Sequence, residues 1–175
     1  MAVSEEARFI ALGPEIGSRI QSRELVLLSY MALSGSLLSA ALTNSSRVEF
    51  ALAIPYLALA SALIGMHHDL MLGVISDFMR ELSRDAQGPR WHHDPQFLPR
   101  GLRSRTIRDV GDGFFKLFSV GASLFVTYPH LGRGSRPLFT FLWWGGLLSG
   151  LGICCVVIMT WGVRNEKSFA RWFWK

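Results

Sequence analysis

Charge is missing from long stretches of this chain. No Asp, Glu, Lys or Arg occurs from Leu25 to Ser46 or from Phe50 to Met66; Lys116 and Arg133 bracket a third free stretch, and Arg136 and Arg164 the longest. A soluble protein with 18 basic and 13 acidic residues would scatter them, so their exclusion from four blocks points to membrane spans. A hydrocarbon layer of about 30 Å takes roughly 20 apolar residues as a helix, with about 17 as the lower limit. The first and last blocks exceed that, and the second and third reach it by borrowing from their flanks. Cysteine is equally scarce: Cys154 and Cys155 are adjacent in the last block, point in different directions on one helix and have no partners elsewhere. That excludes a disulfide framework and a thiolate metal site. Ionisable groups are absent from the middle of every block, which argues against a proton-coupled four-span multidrug transporter, whose chemistry needs a buried carboxylate. Neither a phosphate loop, a nucleophile elbow nor a dinucleotide fingerprint occurs. No cleavable signal peptide is expected, because the first apolar run follows Glu5, Glu6, Glu15 and Glu24 and is long for one, although Ser39-Ala40-Ala41 imitates a cleavage site.

What is present reads as an all-α fold, an integral membrane four-helix bundle. Residues 1–23 form an interfacial N-terminal segment, with a break at Gly13-Pro14 and a short amphipathic helix from Pro14 to Arg23. The membrane domain covers 24–163, with spans expected at about 24–43, 49–66, 114–128 and 138–163. Asn44-Ser45-Ser46-Arg47 makes one outer turn, and Pro129 to Pro137 the other. Pro55 lies near the start of span two, where neighbouring helices can supply its missing donor. Beyond that span Ile64, His68, Met71, Ile75, Phe78 and Leu82 recur at threes and fours among charges, an amphipathic extension ending near Asp85, before Gly88-Pro89. Ile107, Val110, Phe114 and Phe115 mark a second approach helix from Leu102 into span three, with Gly111 and Gly113 as the place for a bend. Residues 67–113 thus form a hairpin with two amphipathic extensions. In the interfacial tail, 164–175, Trp172, Phe173 and Trp174 stand between Arg171 and Lys175.

Orientation follows from counting. The N-terminal segment, the hairpin with Lys116, and the tail hold fifteen of the eighteen basic residues; only Arg47, Arg133 and Arg136 lie on the other side. The positive-inside rule then places both termini and the hairpin in the cytoplasm and the chain in the cell (inner) membrane.

Two features carry candidate chemistry. The tripeptides His67-His68-Asp69 and His92-His93-Asp94 offer imidazole and carboxylate, which suit a divalent metal such as zinc or iron if the hairpin folds back. Against this, no His-x-x-x-His spacing occurs, and no cofactor is predicted; the bland alternative makes His67 and His68 an interfacial cap and His92 and His93 surface residues. In the spans, Ser29, Ser36 and Thr43 stand at heptad spacing, Ala32, Ser36 and Ala40 four apart, and Gly146 and Gly150 form a GxxxG. Small residues let helices approach closely, either within one bundle or between protomers, where hydroxyls would line a pore. The basic run Arg100, Arg103, Arg105 and Arg108 suits anionic headgroups or a cytoplasmic protein partner better than nucleic acid, each cation near the surface contributing about 1 kcal/mol.

The layout of a short amphipathic N-terminus, paired spans and the run Ile64-Gly65-Met66-His67-His68-Asp69 leading into Ile75 to Leu82 resembles small bacterial membrane effectors and accessory proteins of anti-phage systems. The resemblance implies an oligomeric membrane effector. One pore-forming group of that kind carries an Arg-x(4–6)-His ribonuclease-like motif with no counterpart here, since Arg84 and His92 have seven residues between them. The expectation is a self-associating, pore-forming or membrane-perturbing homo-oligomer, controlled by its hairpin. In it the hydroxyls of span one line the path and the glycines of span four make the contacts. The alternatives are a non-conducting scaffold recruiting a soluble partner through the basic loop, and a membrane metalloenzyme using the His-His-Asp tripeptides; on balance the chain leans away from an enzyme.

Overall fold

The computed structural model describes residues 5–82, 98–132 and 136–165, and among these no strand occurs. Four α-helices follow in order: α1 (Glu5–Thr43), α2 (Ile54–Leu82), α3 (Leu98–Thr127) and α4 (Pro137–Asn165). A 3-10 segment of nine residues, Ser45–Ala53, joins α1 to α2, and a short one, Tyr128–His130, follows α3. Four helical stretches are long and apolar enough to cross a membrane: Leu12–Thr43, Arg47–Met79, Ile107–His130 and Pro137–Thr160. Their outer surfaces carry bare aromatic and aliphatic side chains, among them Phe114, Phe118, Phe141, Leu148 and Ile158, with Phe125 80% exposed. So much uncovered apolar surface suits an apolar solvent rather than water.

Sequence and structure part at three places. The expected break at Gly13-Pro14 is not there, and α1 continues through Pro14. A proline removes one bond, to the carbonyl four residues earlier, and here that residue is Ile10, which lies in the open where solvent can satisfy it. The two amphipathic extensions do continue as helix, α2 to Leu82 and α3 from Leu98; the rest of the hairpin, residues 83–97, and the tail from 166 lie outside the described residues. The bend expected at Gly111 and Gly113 does not break α3. Gly113 instead admits α4, since a Cβ there would stand 2.9 Å from Val157 Cγ2. The third difference lies at the start of span two, which is not α-helical until Ile54.

That last feature organises the packing. Nine residues is long for a 3-10 run, which rises about 2.0 Å per residue and holds its bonds in poorer geometry. Pro55 sits in the first turn of α2 without an amide proton, and the carbonyl an α-helical amide at that place would serve belongs to Ala51. Ser123 of α3 serves it instead: its Oγ donates to the Ala51 carbonyl at 2.5 Å, with both residues fully buried. Pro55 also meets α4, where a Cβ on Gly146 would stand 3.2 Å from it and 3.1 Å from Leu124 of α3.

Helices α2 and α3 pack on each other and each on α1 and α4, while among the described residues the backbones of α1 and α4 do not come together. One buried cluster joins Tyr30, Leu52, Ala58, Ala62, Val120, Leu124, Phe139, Trp143, Ile153 and Val156. A smaller one joins Ala41 to Ala51 and Ile54 at the outer turn. Helices α3 and α4 run antiparallel, with Gly113 against Val157, Val120 against Gly150 and Leu124 against Gly146. Two polar side chains bind helices through carbonyls: Trp143 Nε1 of α4 donates to Leu124 O of α3 at 3.3 Å, and the Tyr56 hydroxyl of α2 to Leu142 O of α4 at 2.9 Å. The glycines expected to make contacts between protomers are therefore already engaged inside the chain.

Two outcomes are expected. Ser123→Ala should destabilise the protein by about 0.5–1.5 kcal/mol, the net contribution of one buried hydrogen bond. The loss should shrink in a Pro55→Ala background, where residue 55 regains an amide; a double-mutant cycle from thermal unfolding in detergent measures the coupling. Gly146→Val should cost about 1–3 kcal/mol by overpacking against Leu124 and Pro55. Gly150→Ala should be close to neutral in the same assay, its Cβ landing 3.5 Å from Val120, an ordinary contact.

Candidate functional site: a charged layer and a buried polar seam

Two polar arrangements lie at successive depths along the helices. The first is a layer of charge. Arg23 of α1 donates through Nη1 to Asp69 Oδ1 of α2 at 2.8 Å and through Nη2 to Glu24 at 2.8 Å. Arg108 of α3 approaches the same Asp69 oxygen at 3.8 Å and Asp109 at 3.6 Å. The side chains of Arg23 and Asp69 are 11% and 12% exposed, so their attraction is little screened by solvent. One carboxylate thus ties three helices together. Removing one partner of a mostly buried pair is costly because the other is left uncompensated.

The second arrangement begins one turn deeper. Asp112, Lys116, Ser119, Ser123 and Thr127 follow one another at spacings of four, three, four and four, which on a helix is a single stripe. Lys116 is 3% exposed and Ser123 and Thr127 are fully buried, so the last four members of the stripe face the protein interior. The opposite face of α3 presents Phe114, Phe118 and Phe125 outward. Lys116 Nζ donates to Asp112 Oδ2 at 2.5 Å. Ser119 Oγ donates to the Lys116 carbonyl at 2.8 Å and is hydrogen-bonded to the Tyr30 hydroxyl of α1. Thr127 Oγ1 donates to the Ser123 carbonyl at 2.8 Å. Buried hydroxyls from the other helices, Ser34, Ser61 and Ser149, add to this polar interior.

Lys116, counted with the cytoplasmic loop in the charge balance although the expected span begins at residue 114, is buried. It lies within the candidate span Ile107–His130, eight residues beyond Arg108, or about 12 Å along the axis. A carboxylate one turn back makes a buried ammonium tolerable there. The sequence signal was available in the stripe itself: residues at helical spacing that are all polar, opposite a face of phenylalanine and glycine.

The sequence-predicted residues are placed differently. Ser29, Ser36 and Thr43 lie on the exposed face of α1, away from the other helices, together with Ala32; Ala40 is half-buried. Ser36 donates to Ala32 O at 2.8 Å and Thr43 to Ser39 O at 2.9 Å, so those hydroxyls serve their own helix. Gly146 and Gly150 face α3, as described above. His67 is exposed and His68 half-buried, with ring centroids 5.9 Å apart, and Asp69 is held by two arginines. Successive residues on a helix point about 100° apart, so His67, His68 and Asp69 do not converge on one ion. Among the described residues no cluster of three or more His, Cys, Asp or Glu is placed to hold a metal. His92, His93 and Asp94 lie outside the described residues. Of the basic run, Arg108 belongs to the charged layer, and the side chains of Arg100, Arg103 and Arg105 lie outside the described residues.

Comparison with family models, with curated proteins and with solved structures finds no match to this chain.

Asp69→Asn is expected to lower stability by about 3 kcal/mol, the range for breaking a buried ion pair from one side. Exchanging the two charges, Arg23→Asp with Asp69→Arg, should recover only part of it because Arg108 and Glu24 are then misplaced. Unfolding in mild detergent, followed by helicity, measures both; an unchanged midpoint for Asp69→Asn would show that the layer contributes nothing.

Proposed function

We propose that the chain is a four-span helical bundle of the inner membrane that self-associates and either conducts ions or perturbs the bilayer, under control of its cytoplasmic hairpin. The observation that supports this most directly is the double tie on Asp69. The hairpin leaves the bundle at Asp69 and returns at Arg108, and both roots meet at one carboxylate that also holds Arg23 of α1. A displacement of the hairpin by a partner or by anionic lipid therefore acts on α1 directly. The far face of α1 carries Ser29, Ala32, Ser36 and Thr43 into the open, small side chains on which a second α1 could pack closely. In such an assembly the hydroxyls now spent on their own helix would border the axis between copies.

The orientation with both termini inside rests on the basic residues. With Lys116 counted in the span, fourteen remain on the hairpin side against three on the other, from the fifteen and three of the whole chain. That imbalance supports the orientation by the positive-inside rule.

The test is the mass of the full-length chain in nanodiscs, followed by planar-bilayer recordings. A defined oligomer with ion conductance is expected, and deletion of the hairpin apex should leave insertion intact while removing its regulation. A silent monomer would overturn the proposal and leave a scaffold that recruits a soluble partner through the basic loop. Conductance that is identical without the apex would remove the hairpin's controlling role.

A further inference from the structure

We propose that the buried stripe of α3 is a proton path through a single copy of the chain, with Asp112 and Lys116 as its ionisable relay. This does not depend on self-association. The outward hydroxyls of α1 need several copies to enclose a route, whereas the α3 stripe is already enclosed by its own neighbours. It extends over sixteen residues, from Asp112 at the charged end to Thr127 beside the outer turn, or about 22 Å of axis. Ionisable side chains inside spans that face the protein interior are the usual mark of ion or proton routes.

The geometry at the relay suits proton movement without a large charge penalty. Lys116 Nζ and Asp112 Oδ2 are 2.5 Å apart. Passing one proton between them breaks an N–H bond and forms an O–H bond, turning ammonium and carboxylate into amine and carboxylic acid. The pair carries no net charge before or after. Asp112 is the more exposed partner, 33% against 4% for the Lys116 side chain, so the acid proton can leave toward solution at the charged end. The amine is then reprotonated from the other side by water held along the stripe. Hydroxyls four residues apart, such as Ser119 and Ser123 or Ser123 and Thr127, are separated by about 6 Å of axis, which two waters joined by three bonds of about 2.8 Å span.

Two buried atoms at this level have no protein hydrogen-bond partner: Asp112 Oδ1 and Ser61 Oγ. Ser61 lies on α2, and the Asp69–Arg108 and Ala51–Ser123 contacts bring it level with residues 113–116 of α3. Both atoms are of the kind that internal water satisfies. The groups around the relay are few. From α1 come the Tyr30 hydroxyl and Ser34, and toward the charged end Arg23 and Glu24. From α2 come Ser61 and, further out, His68 and Asp69; α3 itself adds Arg108 and Asp109. At this level α4 offers apolar side chains apart from Cys154 and Cys155. No second carboxylate among the described residues is paired with Lys116.

Full-length protein in liposomes with a trapped pH-sensitive dye, driven by a valinomycin-set potassium potential, reads the proton flux directly. Potassium and chloride conductance is recorded on the same preparation. Asp112→Asn combined with Lys116→Met removes both charges and leaves no uncompensated one. The double variant should lower proton flux at least tenfold, and Tyr30→Phe, which keeps the ring on Phe115, should lower it several-fold. Helicity and elution position check folding, and Tyr30→Phe decides the matter if the double variant fails to insert. Proton flux lost while other ion conductance persists supports the relay independently of the oligomeric pore. Proton flux unchanged in folded variants overturns the relay and leaves the pore standing. Conductance by potassium and chloride with no proton flux in the native chain also overturns it, and silence to every ion overturns both.

Discussion

A proline has no amide proton to give, and in an apolar layer no water stands in for it. At Pro55 no amide reaches the Ala51 carbonyl, which stands at the end of the 3-10 run, and a further donor to it comes from a different helix, Ser123 of α3. The consequence reaches well beyond one bond. Ser123 must be inward for the bond to form, which turns the whole stripe from Lys116 to Thr127 inward with it, because those residues share a face. The aromatic side chains of α3 are then forced outward, where an apolar solvent accepts them. A Cβ on Gly146 would stand 3.2 Å from the same proline ring, closer than ordinary contact, so glycine there eases the approach of α4.

A second polar tie fixes α2 farther along, near its middle. Ala51 and Asp69 stand eighteen residues apart, one bound to Ser123 and the other to Arg23 and Arg108. Between them the contacts are small and apolar: Ala58, Ala62, Val120 and Leu124. Such contacts supply packing but discriminate weakly between registers, since an alanine slides past a valine without leaving a charge or a carbonyl unmet. The polar ties at the two ends set the register, and close packing between them supplies most of the cohesion, as expected where the solvent is as apolar as the side chains.

Much of this was legible in the residues. Four charge-free blocks gave four candidate spans, and the threes-and-fours periodicity after Ile64 gave the long continuation of α2 to Leu82. The direction in which polar faces point was not legible. Ser29, Ser36 and Thr43 and the α3 stripe have similar helical spacing, yet one set faces out and the other in. In water a polar stripe can be assigned to the surface; where the surroundings are apolar that rule loses its force, and only the neighbours decide. The burial of Lys116 was not legible for a related reason: a lysine near the end of an apolar block reads as its boundary, and the pairing with Asp112 one turn back is what lets it lie inside the protein. The GxxxG of α4 shows the same limit, since its spacing announces close approach without saying to what.

Helix α3 is where the two proposed activities meet mechanically. Arg108, at the return root of the hairpin, and Asp112, the exposed partner of the relay, are four residues apart and so lie on neighbouring turns of one face. Arg108 is drawn toward Asp69, and Asp112 is drawn toward Lys116. A hairpin movement that pulled Arg108 off Asp69 would free its guanidinium to compete for Asp112, one turn away, and would loosen the clasp on Arg23 in the same step. The charged layer would then govern the relay through α3 and the outward face of α1 through Arg23. Control from the hairpin therefore does not require a choice between a path inside one chain and a path between several. It requires only that Asp69 be shared by two cations on different helices, with the weaker contact, 3.8 Å against 2.8 Å, on the helix that carries the relay.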